Sequence, residues 1–490
     1  MISKTLFCLL ENLTNDERIR LAEYIKSPFF NKDENVVRLY SFLQKKMRQK
    51  QVQNFDKRAV AKYVFPKREA ATAERKVITL FKKIEQLTLD FLVVLKREEN
   101  PNENIIFLLN ALNDRHIEVV WKKNWDKYVK NRKKVSGNVD EFRHNYLLAK
   151  NWHEFAIFDS KLKLKPNLEE VVSSFETYYI TQMLQYICAA LNNKQKYNKQ
   201  IDLPMVPLIL KTVVERKLDK KEPLINCYKA IILLLQTQDQ QYFDDLLEIL
   251  THETLGLKQE ELNGIYTIVI NYCIGQYRQG KDIFREYVFI LYTQMLKNEC
   301  LIINHYLGYM HFKNILTLAL TLNKTAWAKD FVAKYESRLN PTLREDMKHY
   351  SEGLIAFYEE KYEEAQILFL YINEFNFVFH LNKEIYLLKV FYFCKNSLIE
   401  SKLETLRSYL RQNKKLTLKA RKEHSAFYKM MKQLYRIREQ YDFFKRNPKK
   451  LEKIKKQVEK LLQSLESEQA VTQKLWLKNQ ASDLLKMIES

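Results

Sequence analysis

Glycine and proline are nearly absent from this chain, with seven and nine in 490 residues, and Gly137 is the only glycine before residue 256. Tight hairpins need residues that accept positive φ, glycine above all. A chain this short of them cannot fold strand back on strand repeatedly, whereas helices tolerate few breakers. The richness in Lys, Asn, Ile, Tyr and Phe is also what an AT-rich genome produces. Periodicity must therefore carry the fold class as well.

Apolar spacings of three and four residues supply that second argument. Leu21, Tyr24 and Ile25 mark one helix and Val36, Leu39 and Leu43 the next, and a long helix is expected over 70–95. Between the first two lies Ser27-Pro28-Phe29-Phe30-Asn31-Lys32-Asp33. Proline disfavours helix at Ser27, and Asn31 or Asp33 is expected to cap the helix that follows. The phenylalanine pair reads as a plug packed into the core. Helices are expected next at 103–114, 115–134, 139–158 and 167–193, with the polar run 192–202 as an internal boundary.

From residue 204 the pattern becomes pairs of helices: 206–217 with 224–237, 240–252 with 259–278, 281–297 with 304–322, 325–338 with 344–358, 362–373 with 381–394, and 398–411 with 416–440. Short polar connections of this kind join antiparallel neighbours. One such pair cannot bury its apolar face alone, so each must lean on the next.

Gly353, Ala356, Tyr362, Ala365 and Phe369 sit at the spacing of a tetratricopeptide repeat, and the stretch 346–379 resembles one. Trp327, Tyr362 and Leu398 echo it at 35 and 36 residues. Apolar residues recur five and eight positions later, at Val332 and Tyr335, Ile367 and Leu370, Leu403 and Leu406. Asp330 stands where the first echo should have alanine. The resemblance implies a right-handed superhelical array of antiparallel helix pairs, an α-solenoid. The fold expected is all-α: an N-terminal helical cap domain at 1–100, a helical region at 101–200, the solenoid at 201–445 and a basic helical hairpin at 446–490.

The sequence offers little to catalysis. It has no glycine-rich phosphate loop, no HExxH and no GxSxG, so no enzymatic activity, cofactor or metal is expected. Six cysteines lie far apart in apolar stretches and read as small core residues. The uncharged runs at 177–193 and 262–277 fall short of the ~20 apolar residues that a membrane span needs. The N-terminus lacks a signal-peptide pattern. The expected location is cytoplasmic.

Net charge is +22, which suggests anionic partners. Two segments concentrate it. Lys122, Lys123, Lys127, Lys130 and Lys134 accompany Trp121, Trp125 and Tyr128 on one helix. This is either a nucleic-acid surface with an aromatic free to stack on bases or an amphipathic helix with its aromatics buried. Residues 411–460 carry 18 Lys and Arg against 5 Asp and Glu. Within them Asn447 and Pro448 should open a helix. Leu451, Ile454, Val458, Leu461 and Leu465 should form its inner seam, with Lys449, Lys450, Lys453, Lys456 and Lys460 flanking it. Val471, Leu475, Leu484, Leu485 and Ile488 should face that seam from the last helix. The expected function is a non-enzymatic scaffold or adaptor that binds a protein or peptide partner, with nucleic-acid binding through 122–134 and 411–460 as the alternative.

Overall fold

Helix formation dominates, as the scarcity of breakers requires. The computed structural model describes residues 4–48, 57–132, 137–158, 163–197, 202–252, 257, 259–303, 305–373, 377–413, 416–468 and 470–489. Among these residues the chain is all-α: 24 α-helices, a 3-10 turn at Glu336–Arg338, and one antiparallel ladder of Ile302–Ile303 against Tyr306–Leu307. No helix among them is long and apolar enough to cross a membrane. The chain divides into two compact units. The first holds 1–187 and 203–229, the second 188–202 and 230–490.

The first unit begins with α1 (Lys4–Asn12), α2 (Asn15–Lys26), α3 (Glu34–Arg48) and α4 (Lys57–Val64), all packed on the 30-residue α5 (Ala70–Glu99). Val77, Leu80, Phe81, Ile84, Leu87 and Phe91 present an apolar stripe of helical period along α5, and Leu21, Ile25, Leu39, Leu43 and Val60 close over it. Thr14 and Glu17 form a reciprocal capping box that fixes where α2 starts.

The break after α2 is built differently from the plug expected there. Phe29 is 86% exposed and Phe30 43%, the latter stacked on Tyr24 at 4.1 Å. Asn31 is the buried residue. Its amide donates to the Ile25 carbonyl at 3.0 Å and the Asp33 carbonyl at 3.2 Å, and its oxygen accepts from the Asp33 N–H at 3.1 Å. Backbone groups freed where a helix stops need partners, which an amide supplies and a phenyl ring cannot. Asp33 takes the expected capping role, accepting from the Asn35 N–H at 3.0 Å.

The unit continues with α6 (Pro101–Asn113), α7 (Glu118–Asn131), α8 (Val139–Phe158), the start of α9 (Leu168–Tyr197), α10 (Val206–Glu215), α11 (Leu218–Lys221) and the start of α12 (Pro223–Thr237). Helix α9 runs to Tyr197, so the polar run placed at 192–202 opens as helix. Its residues 198–201 lie outside the described residues.

The second unit contains α13 (Gln240–His252), α14 (Gln259–Arg278), α15 (Phe284–Lys297), α16 (Tyr309–Thr321), α17 (Thr325–Tyr335), α18 (Arg344–Tyr358), α19 (Tyr362–Leu370), α20 (Phe377–Phe393), α21 (Ile399–Gln412) and α22 (Leu418–Phe444). It ends with α23 (Pro448–Ser467) and α24 (Lys474–Glu489). From α14 to α22 each helix packs on the next along the chain, and α16 also meets α18. The helix expected from 304 starts at Tyr309 instead, because the short ladder precedes it.

Alternate helices recur at a fixed interval: α17, α19 and α21 begin at Thr325, Tyr362 and Ile399, 37 residues apart each time. The recurrent buried position is the eighth of each helix, held by Val332, Phe369 and Leu406. The offsets expected from the sequence reach buried residues at Val332, Leu403 and Leu406 but fall on the outer face of α19, where Ile367 and Leu370 are 55% and 57% exposed. Tyr362 opens α19, so the inward positions are i+3 and i+7, Ala365 and Phe369. Ala328 plays the same part in α17, and Asp330 is exposed.

Helices α22, α23 and α24 pack mutually. Asn447 accepts from the Lys450 N–H and Pro448 takes the first helical position, as read. Ile454, Val458, Leu461 and Leu465 are buried, but Leu451 is only half-buried. The opposing face is Leu477, Ala481 and Leu484; of the predicted set Leu484 is buried, Val471, Leu485 and Ile488 are half-buried and Leu475 is 40% exposed. Because α24 starts only at Lys474, Val471 precedes the helix, and Leu477 and Ala481 continue the stripe of Leu484. Four cysteines are buried, whereas Cys8 is exposed and Cys394 half-exposed, so the core role expected of all six fails for those two.

Candidate interaction surfaces

The five repeat-like residues meet at the α18–α19 contact. An added Cβ at Gly353 would lie 2.9 Å from the Phe369 ring, closer than van der Waals packing allows. Glycine therefore lets the two helices approach with a full phenyl ring between them. Ala356 and Ala365 are buried beside it, and the half-buried Tyr362 stacks on Phe393 of α20 at 4.4 Å. In α21 the position matching Ala365 is Lys402, whose ammonium pairs at 2.9 Å with the buried Glu384 of α20.

On α7 the structure separates the aromatic face from the lysines. Trp121 is fully buried, stacked on Phe155 at 3.8 Å and on Trp125 at 5.2 Å. The Tyr128 hydroxyl bonds to Asn102 at 2.9 Å and to His144 at 2.6 Å. Burial and the neighbouring Arg132 pull His144 down to about 4, so this ring is neutral. Trp121 is enclosed and Trp125 and Tyr128 are half-buried against their neighbours, so the aromatic face of α7 packs inward. Lys122 pairs with Asp126 and reaches over the Trp152 ring. Lys123, Lys127 and Lys130 are exposed, and among the described residues none has an acidic partner. Lys134 lies outside the described residues.

The basic segment 411–460 is similarly divided. Lys432 bonds Glu404 at 2.5 Å, and with the Tyr428 hydroxyl it holds that carboxyl down at about 2. Lys455 pairs with Glu489 at 2.7 Å, and Lys450 lies over the Phe444 ring. Lys449, Lys453, Lys456 and Lys460, at spacings of four and three, share the outer face of α23. They are exposed and lack an acidic partner among the described residues.

Two features escaped the sequence reading. The first is Lys389, which is 1% exposed. Its ammonium donates to Gln473 Oε1 at 2.7 Å and lies 4.6 Å from the Tyr386 ring centre, 5.1 Å from Trp476 and 5.8 Å from Phe357. Burial pulls it down to about 7. Its signal in the sequence is a single charge inside the apolar run from Ile385 to Phe393.

The second is a cleft of about 370 Å³ between the end of α20 and α22. Tyr392 and Lys395 come from the first side, and Tyr435, Arg438, Glu439, Asp442 and Phe443 from the second. Lys395 pairs with Asp442 at 2.8 Å, and the Tyr435 hydroxyl donates to Glu439 at 2.6 Å. Burial and that carboxylate push the Tyr435 phenol up to about 12, so it remains a donor. No sequence pattern links residues this far apart, so only the fold assembles the cleft.

Among the described residues no three His, Cys, Asp or Glu side chains gather as metal ligands. No family model, no curated protein and no solved structure matches this chain.

Proposed function

We propose that the second unit is a tetratricopeptide-like helical repeat, a right-handed superhelical array of antiparallel pairs. We further propose that the protein is a non-enzymatic scaffold that binds a protein or peptide partner on this surface. The observation that carries the reading is the 37-residue recurrence of α17, α19 and α21, each presenting one buried residue at the same position and packing on its chain neighbours. Repeats of this kind bury their apolar faces only by stacking, which leaves extended outer surfaces for partners. Affinity purification of the intact chain from its native cells is expected to retain a partner protein at near-stoichiometric level, through washes at high salt. Recovery of the chain alone, with turnover of a small molecule, would overturn the reading.

One observation favours a second reading: the row Lys449, Lys453, Lys456 and Lys460 lacks acidic partners among the described residues, as an anion-binding face requires. A nucleic-acid partner would release counterions, so affinity should fall steeply with salt. In gel shifts the pair Lys453→Gln and Lys456→Gln is then expected to weaken binding uniformly across sequences and to flatten the salt slope by roughly one unit per lysine. Absence of any shift at low salt removes this reading.

A further inference from the structure

The cleft between α20 and α22 holds a buried O–H with no acceptor and, beside it, a guanidinium with no carboxylate among the described residues. Tyr392 is 2% exposed, and among the described residues its O–H finds no acceptor, the Arg438 guanidinium being the group drawn to its oxygen. Burial raises its phenol pKa, with the Arg438 guanidinium opposing, so the O–H keeps its proton. Arg438 lies 4.7 Å over the Tyr392 ring centre beside that oxygen, and among the described residues it has no ion pair. A buried O–H left without an acceptor costs stability, which makes this pair an unusual feature for a chain to carry.

The surrounding charges say what kind of acceptor fits. Asp442 is engaged by Lys395, and Glu439 by the Tyr435 hydroxyl. Arg438 is therefore the cation in the cleft with no carboxylate of its own among the described residues. A dianionic phosphate would meet the Glu439 carboxylate at close range, whereas a monoanionic carboxylate asks for less. At the rim Phe443 is 80% exposed, an apolar surface beside the charged floor. The segment 411–460 around it has a large excess of positive charge, which draws acidic partners in from a distance.

We propose that this cleft is a docking site for an acidic segment of a partner protein. An Asp or Glu carboxylate would be held by Arg438 and the Tyr392 O–H, with a neighbouring aromatic side chain against Phe443. The proposal rests on the partner-binding reading above. It gives Tyr392 a cost in the free protein that is repaid on binding.

The test uses the intact chain to select from a display library of random linear peptides, followed by titration of one synthetic peptide from the enriched set. Enriched peptides should carry Asp or Glu next to an aromatic residue. Affinity should fall about tenfold or more in Arg438→Gln, in Tyr392→Phe, and when the peptide's acid becomes its amide. Tyr392→Phe should melt at the same temperature as the wild type or higher, because it removes a buried O–H that has no acceptor. A purely structural tyrosine would show the opposite. Enriched peptides without an acid, unchanged binding to both variants, or tighter binding of a phosphopeptide than of its Glu counterpart overturns the cleft and leaves the scaffold reading standing. No enrichment by the wild-type chain overturns both.

Discussion

Replacing Lys389 with methionine is expected to stabilise the protein at and below neutral pH and to flatten the dependence of its stability on pH. In the folded chain the ammonium sits among three aromatic rings with Gln473 as its one hydrogen-bond partner among the described residues, and burial lowers its pKa from 10.5 to about 7. The unfolded chain holds this proton up to the ordinary lysine value. Between about 7 and 10.5 the unfolded state therefore binds more protons than the folded one, and stability rises with pH across that window. Below about 7 the full penalty of a buried ammonium is present. Methionine fills similar volume without that penalty, but it gives up ring attraction of about 2 kcal/mol and leaves Gln473 without its donor, at about 1–3 kcal/mol. The net gain at pH 6 is then about 0–2 kcal/mol, reversing to a loss near pH 10. Denaturant titrations of both proteins across pH 6 to 10 measure it. Parallel pH profiles for variant and wild type would mean that the lysine is not confined as described.

The second large effect lies at the α18–α19 contact. Phe369→Ala removes a fully buried ring and is expected to cost about 3–5 kcal/mol. Gly353→Ala acts from the other side: its Cβ would press on the same ring at 2.9 Å, an overpacking of about 1–3 kcal/mol. Because both changes act on one contact, the double variant Gly353→Ala with Phe369→Ala should lose less than the two single changes together. Additive losses, read from unfolding midpoints at constant slope, would show that glycine and ring do not share the space.

Much of the fold was legible because helices announce themselves locally. The scarcity of glycine and the three-and-four spacing are properties of neighbours in sequence, and they place α8 and the Asn447–Pro448 start of α23 where the structure has them. What was not legible depends on contacts across the chain. Phe29 and Phe30 look like core by composition, yet the loop's carbonyls select Asn31 for the interior. The inward stripe of α24 follows from where the helix starts, so Leu477 and Ala481 join the predicted Leu484 while Leu475 falls outside it. The cleft joins Tyr392 to Arg438 through the packing of α20 beside α22, and neither residue is distinctive in its own stretch. Lys389 was the visible exception, a charge in an apolar run whose meaning required knowing that the run is enclosed on every side.

The proposed repeat array makes one central demand: each helix from α14 to α22 draws its stability from the helices next to it in sequence. Native-state hydrogen exchange of the intact chain, wild type against Phe369→Ala, tests this most directly. Protection should fall most in α18 and α19, less in α17 and α20, and hardly at all in α13 or α24. Equal loss of protection throughout the second unit would reveal a single cooperative core instead, and would contradict the array.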